Sequence, residues 1–154
     1  MANDAEKLHD VLEHFDTAML VTHAAGGRAP GGSEASAWLD ARPMAIAQLE
    51  HNCDLWFLTS VESAKVAEIG ADPRVQIVAQ DGQGRFVSLA GRAHVVDDRA
   101  KAAELWSEPY RVWFSGGLDD PRLRLIHVDT ESGEYWDSAG NKVRFVVEHG
   151  TTPR

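Results

Sequence analysis

An α+β chain, mostly β and built on a small antiparallel barrel, is the fold class that three features of the sequence predict. Apolar and β-branched runs of strand length recur along most of the chain. Short helical patterns interrupt them without the strict β–α alternation of a doubly wound parallel sheet. Six to eight strands within 154 residues favour a closed or split barrel that fills its own interior, which leaves a ligand the outside of the barrel or a subunit interface.

The elements follow in order. Leu8, Val11, Leu12 and Phe15 recur at helical spacing with charges opposite, predicting an N-terminal helix. Thr17–His23 (TAMLVTH) reads as a strand, closed by the Gly/Pro-rich hairpin loop AAGGRAPGGSEAS from Ala24 to Ser36. Trp38–Leu49 is expected as a second strand, with Pro43, which cannot donate to a ladder, marking a bulge or edge. Asp54–Thr59 is apolar on both faces, as a covered strand should be. Val61–Ile69 reads as a short helix with Val66 and Ile69 inward and Gly70 as its stop. Arg74–Gln80 alternates, and Gly82-Gln83-Gly84 turns it back into Arg85–Val96. In that strand Val87, Leu89, Ala93 and Val95 oppose Ser88, Arg92 and His94. Asp97 or Asp98 caps a helix over Arg99–Trp106, followed by the aromatic, Gly-rich connection PYRVWFSGGLDDP. Leu123–Val128, Glu134–Trp136 and Val143–Val147 complete the strands. No repeat or linker divides the chain, so residues 1–154 read as one domain.

Composition narrows the function classes. A net charge of −9 argues against nonspecific binding to nucleic acid or an anionic membrane, so an anionic ligand needs a local basic site. No apolar run approaches a membrane span, and MANDAEKLHD lacks a signal-peptide layout, making the cytoplasm the expected location. The single cysteine, Cys53, cannot form an internal disulfide and reads as a buried small hydrophobe.

Common catalytic signatures (GxSxG, the Walker loop, HExxH and CxxC) are missing. The seven histidines show no i, i+4 pair and read as solvated or satisfied rather than as a metal site, while Asp97-Asp98 and Asp119-Asp120 read as caps and turns. WFLTSVESAKV, Trp56 to Val66, carries more. A strand ending in Thr59-Ser60 and leading into a helix start with Ser63 and Lys65 puts hydroxyls, free N–H groups and an ammonium at a positive helix end. Taken alone, the stretch is more simply a helix capped by Ser60, with Lys65 solvated and Glu62 complementing the dipole.

Five segments in order change that balance: ARPMAIA (41–47), WFLTSVESAKV (56–66), VSLAGRAHVVDDR (87–99), VWFSGGLDDPRLRLIHV (112–128) and EYWD (134–137). Together they resemble the pyridoxamine 5'-phosphate oxidase-like flavin-binding split barrels, most closely the general stress protein 26 branch. The resemblance implies a six-stranded antiparallel split barrel with flanking short helices, forming a homodimer with flavin mononucleotide (FMN) at the subunit interface. It places Arg42, Pro43 and Met44 beside the flavin, and Thr59, Ser60, Ser63 and Lys65 around its phosphate. Trp136 would approach the ring from the partner chain, with Trp113 and Phe114 as further cleft residues. Taken without the resemblance, Trp136 would be plain core. A phosphate carrying close to two charges suits a planar guanidinium and an ammonium.

The chain departs from the oxidases at three places. Ala64 stands where their phosphate-site arginine precedes the lysine, AIAQ replaces a lysine-ended motif, and DSAGNKVRFVV follows Trp136 where RLHDR would hold the substrate's phosphate. Pyridoxamine phosphate oxidation is therefore not expected. The resemblance leaves a flavin-dependent oxidoreductase of unknown small-molecule substrate, with a noncatalytic flavin-binding or buffering protein as the alternative. FAD, a deazaflavin (F420) or haem are the alternative cofactors. The loop Ala24–Ser36 would be a lid or a surface elaboration.

Overall fold

The computed structural model describes residues 3–24 and 38–147. Helix α1 (Asp4–Leu12) starts where the Asn3 side chain accepts the Glu6 N–H, and it buries Leu8 and Leu12. The strands are β1 (Thr17–His23), β2 (Leu39–Ala45), β3 (Gln48–Leu49), β4 (Leu55–Ser60), β5 (Arg74–Gln80), β6 (Phe86–Val96), β7 (Leu123–Trp136) and β8 (Lys142–Val146). Helix α2 (Ala64–Ala71) follows β4, and α3 (Arg99–Leu105) follows β6. All pairings are antiparallel in one sheet of order β2-β1-β5-β6-β7-β4-β3, with β8 added to β7. The expected fold class holds. Six longer strands carry the barrel, while β3, of two residues, and β8, of five, extend it. Among the described residues no helix is long and apolar enough to cross a membrane.

The barrel closes where the sequence reading expected an unbroken strand. Trp38–Leu49 is not one strand: β2 and β3 lie at opposite ends of the sheet, joined only by Ile46 and Ala47. Ile46 N–H donates to the Asp16 carbonyl before β1 (2.9 Å), and Ala47 N–H donates to the Trp56 carbonyl in β4 (2.8 Å). Adjacent peptides thus pair with opposite ends of the sheet. Pro43 lies on the outermost strand, where its missing N–H costs nothing.

Two further boundaries differ. The stretch after β4 stays non-helical to Ser63, because Val61 N–H pairs with the Arg122 carbonyl and Ser63 N–H turns back to the Ser60 carbonyl. Helix α2 then runs through Gly70 and ends at extended Asp72 before Pro73. Leu123–Val128 and Glu134–Trp136 belong to one strand of 14 residues. The turn-like residues between them accommodate a bulge: Gly91 pairs with Thr130 and Ala90 with Ser132, leaving Glu131 as the extra residue.

Alternation along the strands builds the interior, where Leu20, Phe57, Ile77, Leu89 and Val128 are buried against Leu8 and Leu12 of α1. Gly133 opens the space for this, since a Cβ there would press on the side chains of Leu89 and Leu8. A second core lies outside the barrel, with Leu58 and Leu125 covered by Ala102 and Leu105 of α3, whose N-cap is Asp98. Phe114 is buried in this second core rather than lining a cleft.

The β3–β4 turn is fixed by polar groups. Cys53 adopts a positive φ of 73° yet is fully buried, and its Sγ–H donates to the Ala5 carbonyl at 3.1 Å. Burial, then the neighbouring Asp54 charge, pushes the thiol up to about 12, so it stays protonated as the small buried group expected of it. Asp54 is buried and accepts from His127 Nε2 (2.9 Å) and the Thr130 N–H (3.3 Å), while the His127 ring stacks on Trp56 at 4.3 Å. The Asp54 hydrogen bond raises the imidazole above its ordinary range despite burial. Burial of Asp54 raises its carboxyl, but the His127 and Thr130 hydrogen bonds and the His127 charge outweigh this and lower it.

Two consequences are measurable. In Gly91→Ala the new methyl would run into the backbone carbonyl of Asp129, which cannot swing aside as a side chain can. The variant should lose about 2 kcal/mol or more and melt roughly 4–8 °C lower; an unchanged melting temperature would show that the bulge yields freely. The second concerns pH. With a raised folded pKa, the His127 contribution is fully present below about 6.5 and is lost as pH rises through the folded value. The lowered Asp54 contributes above about 3.9 and loses this as pH falls through its folded value. His127→Gln should therefore cost about 1 kcal/mol more near pH 5.5 than near pH 8.5, read from urea midpoints; equal costs would remove the pair as a source of stability.

Candidate functional site

The passage from β4 to α2 assembles the strongest candidate. Thr59 lies on the same inward face of β4 as Phe57 and is 3% exposed, and its hydroxyl has no hydrogen-bond partner among the described residues. Ser60 does not cap α2; its Oγ accepts the Glu62 N–H at 3.2 Å in a local turn. The N-cap is Ser63, whose side chain makes no capping bond, and the first turn carries no acidic residue. Glu62 lies before the helix and is exposed, so it does not occupy the first turn. Those first N–H groups keep their partial positive charge for another acceptor. Lys65 bends back over this end, its Nζ donating to Ser63 Oγ at 2.6 Å. Burial lowers the affinity of Lys65 for its proton, the Arg42 charge lowers it further, and Glu68 partly offsets both.

Arg42 arrives from the edge strand. Alternation on β2 turns Asp40, Arg42 and Met44 toward the barrel and Ala41, Pro43 and Ala45 away from it. The guanidinium donates through Nη1 to the Leu20 carbonyl (3.2 Å) and Thr22 Oγ1 (2.8 Å), and through Nη2 to Glu68 Oε1 (2.9 Å). Thr22 Oγ1 also donates to Glu68 Oε1, at 2.8 Å. Glu68 is 1% exposed, and its Oε2 has no partner among the described residues. Arg42, Thr22 and Glu68 thus form a buried polar knot tying β2 and β1 to α2. Sequence reasoning missed Thr22 and Glu68. The one available signal was the three-residue spacing from Lys65, which places Glu68 on the same helix face.

The other expected residues are dispersed. Pro43 faces outward beside its strand neighbour Met19, which in turn pairs with Val78, in a row where Met19 and Val78 are exposed. Met44 packs against the barrel core. Trp113 sits 67% exposed at the end of a 3-10 turn in the connection to β7. Trp136 is half-buried at the last position of β7, paired with exposed Phe86, with Lys142 Nζ 5.5 Å from its ring centre. A groove of about 320 Å³ on the outer sheet face, between Val21, Leu39, Gln76 and Arg92, lies apart from the Lys65 cluster. The loop Ala24–Ser36 lies, beyond Ala24, outside the described residues. Among the described residues two groups bring a histidine and carboxylates within 4.8 Å: His9, Asp10 and Glu13 on α1, and Glu50, Asp54 and His127 at the hairpin. In the second group the imidazole is already paired with Asp54.

What the β4–α2 turn can do chemically is hold an anion: Lys65 leans over an uncapped helix start, and the strand before it carries near its end a hydroxyl, Thr59, that has no partner among the described residues. Donors of this kind fit a phosphate.

Comparison with known proteins identifies the family. Protein bli-3 of Neurospora crassa is 30% identical over 121 residues, 72% of this chain and 58% of that protein. General stress protein 26 of Bacillus subtilis is 32% identical over 77 residues, 47% of this chain and 54% of that one. The chain therefore spans little more than half the length of these two relatives. Among solved structures, a Clostridium acetobutylicum protein related to general stress protein 26 has a TM-score of 0.73 at 16% identity, covering 95% of this chain and 97% of that one, which supports the fold. A general stress FMN/FAD binding protein from Xanthomonas citri has a TM-score of 0.63 at 26% identity, covering 97% and 93%. Residues 3–151 match the family described as pyridoxamine 5'-phosphate oxidase like. The chain belongs to the pyridoxamine 5'-phosphate oxidase-like family.

Proposed function

We propose that this protein binds FMN as a homodimer and serves as a flavin-dependent oxidoreductase acting on a small molecule in the cytoplasm. The observation that carries the reading is the β4–α2 turn, where Lys65, the uncapped Ser63 end of α2 and the unpaired Thr59 hydroxyl offer a phosphate its donors. The FMN/FAD binding named for the Xanthomonas citri relative supports it. Bound flavin would supply hydride or electron transfer, and this chain's residues would bind and orient it. Lys65 and Ser63 would hold the phosphate, and the Thr59 hydroxyl would donate to it.

A second copy enters the proposal because of Trp136. Residue Arg124, the β7 partner of Thr59, stands twelve positions before Trp136, roughly 40 Å along the strand. If Trp136 meets the flavin, it does so from another subunit, and the exposed Met19, Val78 and Phe86 offer an apolar face for that contact.

A noncatalytic flavin-binding protein is the second reading, favoured by Ala64 in place of a phosphate-site arginine and by the commitment of Arg42 to Glu68. Oxidation of reduced nicotinamide or a dye by the flavin-loaded protein separates the two. The absorbance of the purified protein, with mass spectrometry of released cofactor, separates FMN from FAD, a deazaflavin or haem.

Two outcomes are expected. Lys65→Ala should weaken FMN binding about tenfold or more while leaving riboflavin binding within about twofold, since only the phosphate contact is lost; equal weakening of both ligands would sink the phosphate assignment. Light scattering should give twice the chain mass of 16.9 kDa, and Trp136→Ala should lower riboflavin and FMN affinity alike. A monomer that binds FMN with full affinity would overturn the interface site.

A further inference from the structure

Glu68 is an unusual neighbour for an anion site. It is one of the few buried charged residues in the described chain, and only one of its carboxylate oxygens is used, by Arg42 and Thr22. A lone carboxylate at that depth would be strongly disfavoured, and Arg42 is what makes it tolerable. The converse follows from the same geometry. Three of the five N–H groups of Arg42 are engaged, two on Nη1 by Leu20 and Thr22 and one on Nη2 by Glu68, so the guanidinium is pinned in place and its charge is matched by the Glu68 carboxylate.

We propose that Glu68 sets the strength of the phosphate grip: by pinning and neutralising Arg42, it leaves Lys65 as the single effective cation and makes the bound phosphate ligand readily exchangeable. This rests on the flavin reading above and deepens it. Glu68 is a positioning residue here, acting through Arg42 rather than touching the ligand. It also acts on Lys65 through space, three residues away on the same face of α2, opposing the mutual repulsion of the two cations. Removing its charge would leave two cations facing the phosphate in place of one.

The test uses the intact chain with FMN, riboflavin and inorganic phosphate as probes. Glu68→Gln should bind FMN about tenfold tighter than the unaltered protein, bind riboflavin within about twofold, and gain a larger rise in melting temperature from FMN or phosphate. A folded Glu68→Gln whose FMN affinity is unchanged or weaker would reduce Glu68 to a structural partner of Arg42 and overturn the proposal. The double variant Arg42→Met with Glu68→Met covers the case in which the single variant does not fold, because replacing a buried ion pair with apolar side chains is commonly tolerated. It should bind FMN within about threefold of the unaltered protein; a tenfold loss would mean that Arg42 grips the phosphate itself. The flavin reading fails separately, if the unaltered protein binds no flavin or if Lys65→Ala leaves FMN affinity intact, and the proposal falls with it. FMN binding that depends on Lys65 but does not respond to Glu68 would sink this proposal alone.

Discussion

One guanidinium reaching in from the edge of the sheet to a carboxylate shut away from water organises this end of the barrel. Arg42 belongs to the outermost strand, β2, which has a single strand neighbour and would otherwise be free to peel away. Its contacts with Leu20 and Thr22 bind it across β1, and its ion pair with Glu68 binds it to α2. Such a pair is a weak source of net stability, since two groups leave water to form it, yet breaking it by removing one partner costs about 3–5 kcal/mol. The pair therefore specifies an arrangement more than it strengthens one. Helix α2 is held with its uncapped start and Lys65 beside the end of β4.

Closure at the other end of β2 works by backbone alone. Ile46 and Ala47 each donate one hydrogen bond, to opposite ends of the sheet, so that β2 turns directly into β3 across the seam. The edge carrying Pro43 cannot extend by pairing through that residue, which blunts it against adventitious strand addition. Interior volume is then divided finely. Gly133 admits Leu8 of α1 into the core, and Gly91 lets the chain pass the Asp129 carbonyl at the bulge. Both positions lie on the β6–β7 pairing, the longest in the sheet, where small errors of spacing would propagate along many rungs.

The class of fold was readable because period-2 patterns survive in β1, β5 and β6, where one face is buried and the other wet. The turn holding Thr59, Ser63 and Lys65 stands out because hydroxyls and a lysine at a strand-to-helix junction have a local physical meaning. Alone it reads as a capped helix, and only the five segments in order turn it toward a phosphate. What escaped were features decided by distant partners. Apart from Arg42 and Gln48, ARPMAIAQL is apolar, and nothing within it announces that Ile46 and Ala47 answer to opposite ends of a sheet. DTESG has the composition of a turn, yet its neighbours on β6 keep it in register as a bulged strand. Glu68 has the sequence appearance of a solvated helix residue; its burial is imposed by Arg42, 26 positions earlier.

That same long range shapes the site. Inward and outward faces of β2 carry different residues, so Arg42 and Met44 cannot share a surface with Pro43 in one chain. Whereas Arg42 and Met44 face the barrel from β2, Trp136 lies on the outer face of β7. The long strand β7 separates it as well from the Thr59 end of β4. Residues that resemble a single flavin pocket in sequence order are therefore distributed over two faces and two ends of the barrel. Within one chain, a ligand touching the Lys65 turn and Trp136 together would have to reach from one end of β7 to the other.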